Sequence, residues 1–158
     1  MTSLADWLSY IESLHPKSWD LGLTRVQAVA EDLQLLPTGT VFLVAGTNGK
    51  GSTCEYIEQF CRACGLDVGK STSPHLVSFN ERMQINGQPA SDQEIVNAFD
   101  AIERARKDIS LTYFEFAVLA SLMLFKDHGV DVSVLEIGLG GRLDAMNIVT
   151  PDVSVITQ

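Results

Sequence analysis

Residues 44–53 of the chain read Val44-Ala45-Gly46-Thr47-Asn48-Gly49-Lys50-Gly51-Ser52-Thr53. The stretch follows an apolar run, residues 41–44, that is typical of a buried strand, and it leads into residues 54–60, which have helical spacing. Glycines let backbone N–H groups approach phosphate closely, and the start of a helix carries partial positive charge. Lys50 adds a full positive charge beside them. The stretch therefore predicts a loop that binds the phosphates of a nucleoside triphosphate.

The loop departs from the general phosphate-loop pattern, G-x-x-x-x-G-K-[ST], at two positions. Val44 occupies the position of the first glycine, and Gly46 follows two residues later. Gly51 stands where the pattern has a serine or threonine that contacts the metal ion, and the hydroxyls come at residues 52 and 53. A metal ligand from another loop is therefore expected. The alternative is an ordinary glycine-rich turn with a surface lysine, which leaves the ordered series of strand, glycines, lysine and hydroxyls unexplained.

The composition indicates one globular domain with a substantial core, because 46% of the 158 residues are hydrophobic and 20% are charged. A net charge of −9 disfavours nucleic acid as a partner. The longest apolar runs are far shorter than a membrane span, and the amphipathic N-terminus carries Asp6 and Glu12, unlike a secretory signal. We expect a cytoplasmic protein that binds neither nucleic acid nor a membrane.

The three cysteines lie close together in the sequence, and two of them form the pair Cys61-x-x-Cys64. A redox pair usually opens a helix, and a structural zinc ion needs four ligands, so neither interpretation fits well. We predict instead that all three are small, partly buried residues of the helix after the phosphate loop. Reduced cysteines agree with a cytoplasmic protein.

The rest of the sequence alternates predicted helices and strands. Helices are predicted over residues 4–14 with Ser3 as cap, over 25–36 with Thr24 as cap, and after two capping boxes that begin at Ser91 and Thr112. Strands are predicted at residues 41–44, 66–70, 81–85, 130–137 and 153–156, with turns at residues 37–39 and at Asn86-Gly87. This order predicts an α/β fold with a mostly parallel sheet flanked by helices. Because the last strand has no helix to cover it, we expect the chain to be a truncated piece of a longer protein.

Glu136 falls near the end of the predicted strand 130–137, where a carboxylate is costly unless it is paired, metal-bound or at the mouth of the sheet. Open α/β sheets bind ligands at the carboxyl edge of their strands, where the phosphate loop also lies. A magnesium ion held by Glu136 would therefore meet the triphosphate near Lys50. A hydroxyl from the loop 71–76 could supply the missing metal ligand. The alternative is that Arg142 or Lys50 neutralises Glu136.

Three separate motifs together resemble one family. They are Gly46-Thr47-Asn48-Gly49-Lys50-Gly51-Ser52, Ser73-Pro74-His75-Leu76 with Asn80-Glu81-Arg82, and Glu136-Ile137-Gly138-Leu139-Gly140-Gly141-Arg142-Leu143-Asp144-Ala145. Together they closely resemble the folylpolyglutamate synthase/dihydrofolate synthase family of the Mur ligase superfamily. The bifunctional bacterial type is the most similar, and the resemblance covers nearly the whole chain as the N-terminal part of such an enzyme.

The resemblance implies an ATP-dependent amide ligase of folate biosynthesis. In this family a substrate carboxylate attacks the γ-phosphate of ATP, and the amino group of L-glutamate then attacks the acyl phosphate. Dihydropteroate becomes dihydrofolate, and folates gain further glutamates. This chemistry needs positioning and charge neutralisation more than covalent help from the protein. The expected cofactor is Mg²⁺, and the expected ligands are ATP, dihydropteroate or folates, and L-glutamate.

The resemblance also implies roles for individual residues. Lys50 and Glu136 are expected to be catalytic, and Ser73 and Glu136 to bind Mg²⁺. The phosphates of ATP are expected on Thr47, Asn48, Gly49, Lys50, Gly51 and Ser52. The pterin ring is expected on Asp20, Leu21, Gly22, Leu23, Thr112, Tyr113, Phe114, Glu115, Leu143, Asp144 and Ala145, with the Phe114 ring stacked on it.

The same resemblance places residues 1–158 in the N-terminal part of an ATP-binding domain of the Mur ligase central type. The C-terminal glutamate-binding domain is absent, so we expect that this chain alone does not complete the ligation, and that the full-length protein is a monomer. Two alternatives remain open. One is a peptidoglycan-type Mur ligase, although those usually place serine or threonine directly after the lysine. The other is a nucleotide-binding module without catalytic activity.

Met146 stands where relatives more often have a small polar residue, and it either reshapes the pterin pocket or packs in the core.

Overall fold

The computed structural model describes residues 3–15, 20–37 and 39–158. The helices and strands within these ranges follow one another in the order α1 Leu4–Leu14, α2 Thr24–Asp32, β1 Thr40–Ala45, α3 Lys50–Ala63, β2 Val68–Ser71, β3 Met83–Ile85, β4 Gln88–Pro89, α4 Asp92–Arg106, α5 Tyr113–His128, β5 Val132–Glu136 and β6 Val153–Ile156. Two short 3₁₀ helices, Phe79–Arg82 and Ala145–Ile148, lie in the loops after β2 and β5.

The strands form one mixed sheet of order β4-β3-β2-β5-β1-β6. Strands β2, β5, β1 and β6 are parallel, and the hairpin β3–β4 is antiparallel to β2. The register places Val44 of β1 opposite Glu136 of β5, and Ser71 of β2 opposite Leu135. The predicted α/β fold with a mostly parallel sheet is confirmed. The phosphate loop, Glu136 and the loop 71–76 therefore lie at the same edge of the sheet.

The sheet separates two apolar cores, because successive residues of a strand face opposite sides. Helix α3 covers one side, where Cys54 packs with Val44, Val68, Val132 and Val134. The larger core lies on the other side, where α1, α2, α4 and α5 contribute most of the buried residues. A chain of rings links three of these helices, α1, α4 and α5: Trp7 and Phe116 each have their centroid 5.8 Å from that of Phe99. The rigid contacts hold α5, and hence its N-terminus, against the sheet.

Helix α2 differs from its prediction at both ends. It begins at Thr24 itself, after Leu23 and without a side-chain cap, and it ends at Asp32 instead of residue 36. Gln34 adopts a left-handed conformation with φ of 54°, and the N–H of Leu35 donates to the carbonyl of Ala30 at 2.9 Å. This turn buries Leu35 and leaves Leu36, which apolar spacing in a helix over residues 25–36 places on the inward face, 65% exposed. The tertiary packing of Leu35 thus decides where the helix stops.

The third strand is shorter than predicted because Glu81 and Arg82 belong to the preceding 3₁₀ helix. The Glu81 carboxylate accepts hydrogen bonds from the N–H groups of Leu76, Val77 and Ser78, at 2.8, 2.9 and 2.7 Å. These bonds lower the pKa of Glu81. The second strand is shifted to Val68–Ser71 from the predicted 66–70. The turn predicted at residues 37–39 includes Thr38, which lies outside the described residues.

Local start signals were the most reliable sequence features. The side chain of Ser3 accepts the N–H of Asp6 as predicted, and both capping boxes are formed, with Ser91 and Thr112 accepting the N–H groups of Glu94 and Glu115. Such caps satisfy backbone donors that the helix itself cannot pair. None of the helices within the described residues is both long and apolar enough to cross a membrane.

The Ser91→Ala variant is expected to lower the free energy of unfolding by about 1 kcal/mol, because α4 loses its cap. The measurement is urea denaturation followed by circular dichroism. Ser9→Ala is the matched control, since that exposed hydroxyl only donates to the carbonyl of Ala5 in its own helix. Equal stability of the Ser91 variant and the wild type would show that the cap contributes nothing to folding.

Candidate functional site

The phosphate loop requires glycine at two of its positions. Gly46 has φ of 135°, and Gly49, which caps α3, has φ of 78°. A Cβ atom at Gly46 would also lie 2.1 Å from Oγ1 of Thr157. Helix α3 begins at Lys50, so the first N–H groups of the helix point into the loop without acceptors in the helix. The loop therefore presents backbone donors and the positive end of a helix to an anion.

The side chain of Lys50 closes this loop. Its Nζ donates to the carbonyl of Gly46 at 3.0 Å. The N–H of Asn48 donates to the carbonyl of Gln158 at 2.7 Å, so this predicted phosphate donor is engaged within the protein. A Cβ atom at Gly51 would meet nothing within 4 Å, and Ser52 is exposed. To bind a phosphate, the Lys50 ammonium would replace its hydrogen bond to the Gly46 carbonyl with one to a phosphate oxygen.

Glu136 is the last residue of β5 and is 5% exposed. Its Oε2 accepts the backbone N–H of Ser73 at 2.8 Å, which brings the two predicted metal ligands together. Burial raises the pKa of Glu136, while the Ser73 N–H and the Lys50 charge act in the opposite direction. The Lys50 charge thus favours the ionised form of Glu136, but burial outweighs it and the pKa is raised overall. No ion pair between Glu136 and Arg142 occurs among the described residues.

The residues at this position suit Mg²⁺ held jointly by protein and nucleotide. Within the ranges that the structure describes, no three histidine, cysteine, aspartate or glutamate side chains come together as a complete metal site. Mg²⁺ commonly takes one or two protein oxygens and completes its shell with phosphate oxygens and water. One buried carboxylate at Glu136 and the Ser73 hydroxyl, next to the phosphate loop, match that requirement. A divalent cation there would also offset the cost of burying the Glu136 charge.

A cavity of about 290 Å³ opens beside Ser73. It is formed by four segments that are distant in sequence: the loop before α2, the loop and 3₁₀ helix after β2, the start of α5, and the loop after β5. All residues predicted to hold a pterin line it except Leu23 and Tyr113. Leu23 instead precedes α2, and the Tyr113 ring packs edge-on against Phe79, with centroids 5.6 Å apart. Most of the predicted set therefore surrounds one space.

Half-buried ion pairs and buried hydrogen bonds hold the polar lining of this cavity in place. Arg25 donates to Oδ2 of Asp20 at 3.0 Å and to Oε1 of Glu115 at 3.1 Å. The other oxygen of Glu115 accepts the N–H of Thr112 at 2.7 Å. Oδ2 of Asp144 accepts the N–H of Leu139 at 2.7 Å, and burial raises the pKa of Asp144. These carboxylates are oriented before any ligand arrives, which lowers the cost of binding.

The curated proteins that match this chain have consistent names. The dihydrofolate synthase/folylpolyglutamate synthase of Escherichia coli K12 is 54% identical over 156 residues, covering 98% of this chain and 37% of that protein. The Haemophilus influenzae protein of the same name is 50% identical, covering 98% and 36%. The chain belongs to the dihydrofolate synthase/folylpolyglutamate synthase family. It corresponds to the N-terminal part of these relatives, and a scan of protein-family models found no match.

Solved structures of this family share the fold. The E. coli FolC structure in complex with DHPP and ADP has a TM-score of 0.97 and 53% identity, covering 99% of this chain and 38% of that one. The apo form of the Lacticaseibacillus casei folylpolyglutamate synthase has a TM-score of 0.90 at 34% identity, covering 98% and 40%. Membership of the folate branch disfavours the alternative of a peptidoglycan-type ligase.

Several residues that line the cavity were not among those predicted to hold a pterin. Pro74, Arg82, Gly138 and Leu139 line it, and so does Ser73, which we had assigned only to the metal. All five stand in the motifs that carry the family resemblance, but spacing along the chain could not show which side chains face the cavity. Met146 does not line it: the side chain is 2% exposed and packs in the core beside Phe114 and Glu136. Of the two options for Met146, the structure shows packing.

The cysteines of this family member are predicted to react at very different rates with a thiol reagent such as DTNB. Cys54 is buried, and burial raises its pKa to about 12, whereas Cys64 is exposed after the end of α3. We expect rapid reaction of Cys64, slower reaction of the half-buried Cys61, and reaction of Cys54 only after unfolding in guanidinium. Peptide mass spectrometry identifies the modified residue, and fast labelling of Cys54 in the native protein would contradict the prediction.

Proposed function

We propose that this chain is the N-terminal part of an ATP-dependent ligase that adds L-glutamate to dihydropteroate and to folates. One observation carries the proposal: Ser73 lines the large cavity and also donates its N–H to Glu136, beside the phosphate loop. A nucleotide and an acid substrate bound in these two places would meet across one buried carboxylate. That is the arrangement needed to transfer a phosphoryl group to a substrate carboxylate.

Each part of the site has a role in this reaction. Residues 47–52 and the Lys50 ammonium bind the phosphates and neutralise charge that develops on the transferred group. Ser73 and Glu136 would hold Mg²⁺, which would supply charge neutralisation and Lewis-acid polarisation of the γ-phosphate. The cavity orients the pterin, with the Phe114 ring against it, so that the substrate carboxylate points toward the nucleotide. The carboxylate attacks the γ-phosphorus, ADP leaves, and the glutamate amine then displaces phosphate from the acyl phosphate.

Relatives support these ligands through what their structures contain. E. coli FolC has been solved with DHPP and ADP, and a bifunctional folylpolyglutamate synthase/dihydrofolate synthase with Mn, AMPPNP and L-glutamate. A folylpolyglutamate synthase has been solved with AMPPCP and folate. The high identity of this chain to the first two, 53% in both cases, supports the same ligand classes here.

The proposal extends to the organisation of the protein. We assign residues 1–158 to the N-terminal part of the ATP-binding domain. We assign the binding of L-glutamate to a C-terminal domain, since the matched region covers only 37% of the E. coli relative. The chain is proposed to bind nucleotide and pterin and to need that further part for ligation. A cytoplasmic location and a monomeric full-length protein complete the proposal, and the free cysteines agree with the former.

The test is calorimetric titration of the chain with 7,8-dihydropteroate, with and without Mg-ATP. Saturable binding of dihydropteroate together with binding of Mg-ATP is the expected result. Mg-ATP binding without any pterin binding would favour the alternative, a nucleotide-binding module without ligase chemistry. A titration with p-aminobenzoate, which lacks the pterin ring, is the matched control for the contribution of the cavity.

A further inference from the structure

Arg82 occupies the junction between the cavity and the nucleotide site. It is the last residue of the 3₁₀ helix Phe79–Arg82. It lines the cavity of about 290 Å³, and it also lines a second, small space next to Glu136. Among the described residues, only Ser73, Arg82 and Phe114 line both spaces. A group that extends from the cavity toward Glu136 would therefore come next to Arg82.

The guanidinium of Arg82 is held in one orientation by a hydrogen bond and by two aromatic rings. Its Nε donates to Nδ1 of His75 at 2.8 Å. Its Cζ lies 5.7 Å from the ring centroids of both Phe79 and Tyr113. These contacts use one edge and the faces of the guanidinium. They leave the two terminal amino groups, Nη1 and Nη2, without a hydrogen-bond acceptor among the described residues.

This environment is unusual for a half-buried charge. Arg25, Arg62 and Arg106 each form an ion pair with a carboxylate, but no carboxylate lies within 4.0 Å of Arg82 in the described part of the chain. Burial lowers the pKa of Arg82, which reflects the loss of solvation of its charge. Buried charges are normally paired, because an unpaired one is costly. We therefore expect the anionic partner of Arg82 to be part of the ligand that the cavity binds.

We infer that Arg82 binds the carboxylate of the acid substrate, through its two terminal amino groups, at the end of the cavity nearest Glu136. The inference rests on the proposed function. The planar fork of a guanidinium matches a carboxylate in a bidentate contact. Such a contact orients the attacking oxygen and reduces its repulsion from the Glu136 carboxylate. It also selects the acid over an uncharged pterin, which the apolar lining alone could not reject.

The test compares two ligands and three proteins by calorimetric titration. The ligands are 7,8-dihydropteroate, which has the carboxylate, and 6-hydroxymethyl-7,8-dihydropterin, which has the same ring and no carboxylate. The proteins are the wild type, Arg82→Gln, and Arg104→Gln as control, an exposed arginine of α4. We expect Arg82→Gln to weaken dihydropteroate binding about tenfold or more and to change binding of the uncharged pterin less than about twofold. The Arg104 variant should match the wild type.

The outcomes separate the inference from the proposed function. If Arg82→Gln weakens both ligands equally, or neither, the carboxylate is not its partner and the inference is wrong while the pterin site stands. If the wild type binds neither ligand, the proposed function fails and the inference with it. Arg82→Lys keeps the positive charge without the fork, so it should retain part of the preference for dihydropteroate. It also provides the comparison if the glutamine variant does not fold, which thermal unfolding would reveal.

Discussion

Replacing Lys70 with methionine is expected to lower the free energy of unfolding by about 3–5 kcal/mol. Lys70 lies on β2 and is 4% exposed, and its ammonium contacts the carboxylates of Glu55 and Glu58 on α3. Glu58 is 0% exposed, and neither of its oxygens has a well-directed hydrogen bond within the described residues. Without Lys70 the Glu58 charge would remain buried with only Arg62, at 4.0 Å, nearby.

The measurement is guanidinium denaturation of single and double variants. Combining Lys70→Met with Glu58→Met removes both buried charges and should restore most of the lost stability, because apolar packing replaces the ion pair. Lys107→Met is the matched control: its ion pair with Asp32 is exposed and should contribute less than about 1 kcal/mol. A Lys70→Met variant that unfolds at the wild-type concentration of denaturant would refute the prediction.

The stability that Lys70 contributes is expected to fall at strongly alkaline pH. Burial lowers the pKa of Lys70, but the contacts with Glu55 and Glu58 outweigh it, so the folded-state pKa is raised. A raised lysine pKa contributes stability that is fully present below the unfolded value, about 10.4, and is lost as pH rises through the folded value. The stability difference between wild type and Lys70→Met should therefore be constant near neutral pH and shrink in strongly alkaline solution.

The second large effect concerns nucleotide binding. Lys50→Ala is expected to weaken the affinity for Mg-ATP by about ten- to a hundredfold, which is the contribution of a charge-assisted hydrogen bond to phosphate. The side chain makes one hydrogen bond in the structure, to the Gly46 carbonyl, so its loss should leave the unfolding temperature nearly unchanged. Calorimetric titration with Mg-ATP measures the change.

The control for this prediction is Lys107→Ala, which removes an exposed lysine of the same charge at the end of α4. It should bind Mg-ATP as the wild type does, because exposed charges are screened by salt. If the Lys50 and Lys107 variants bind Mg-ATP equally well, residues 46–53 form an ordinary glycine-rich turn, and the interpretation as a phosphate loop must be abandoned.

Features that depend on neighbouring residues were predictable from the sequence. The capping boxes at Ser91 and Thr112 work through bonds between positions three residues apart, so they form wherever the helix forms. The Asn86-Gly87 turn needs positive φ at two successive residues, and both are found, at 50° and 76°. The parallel sheet followed from the alternation of strands and helices, which leaves few other connections.

Features that depend on distant residues were not predictable in the same way. Helix α2 stops early because Leu35, rather than Leu36, reaches the core formed by other helices. The partners of Lys70 come from a different element, and nothing in the local sequence of β2 indicates that a lysine there is buried. Arg82 was visible only as part of a motif, because its side chain meets the cavity through packing on Phe79 and Tyr113.

The sequence by itself determined the order of elements, the phosphate loop with its lysine, and the residue types available for a metal and a pterin. The first two follow from backbone conformation, helix capping and the spacing of apolar residues, all of which act over a few positions, whereas the residues for a pterin were indicated only by the family resemblance. Only the tertiary structure decided that the Ser73 N–H and the Glu136 carboxylate form a hydrogen bond, and that four distant segments, one of them carrying Arg82, enclose one cavity. The physical reason is that such contacts arise where separate strands end at one edge of the sheet, and burial and register set that placement, not sequence distance.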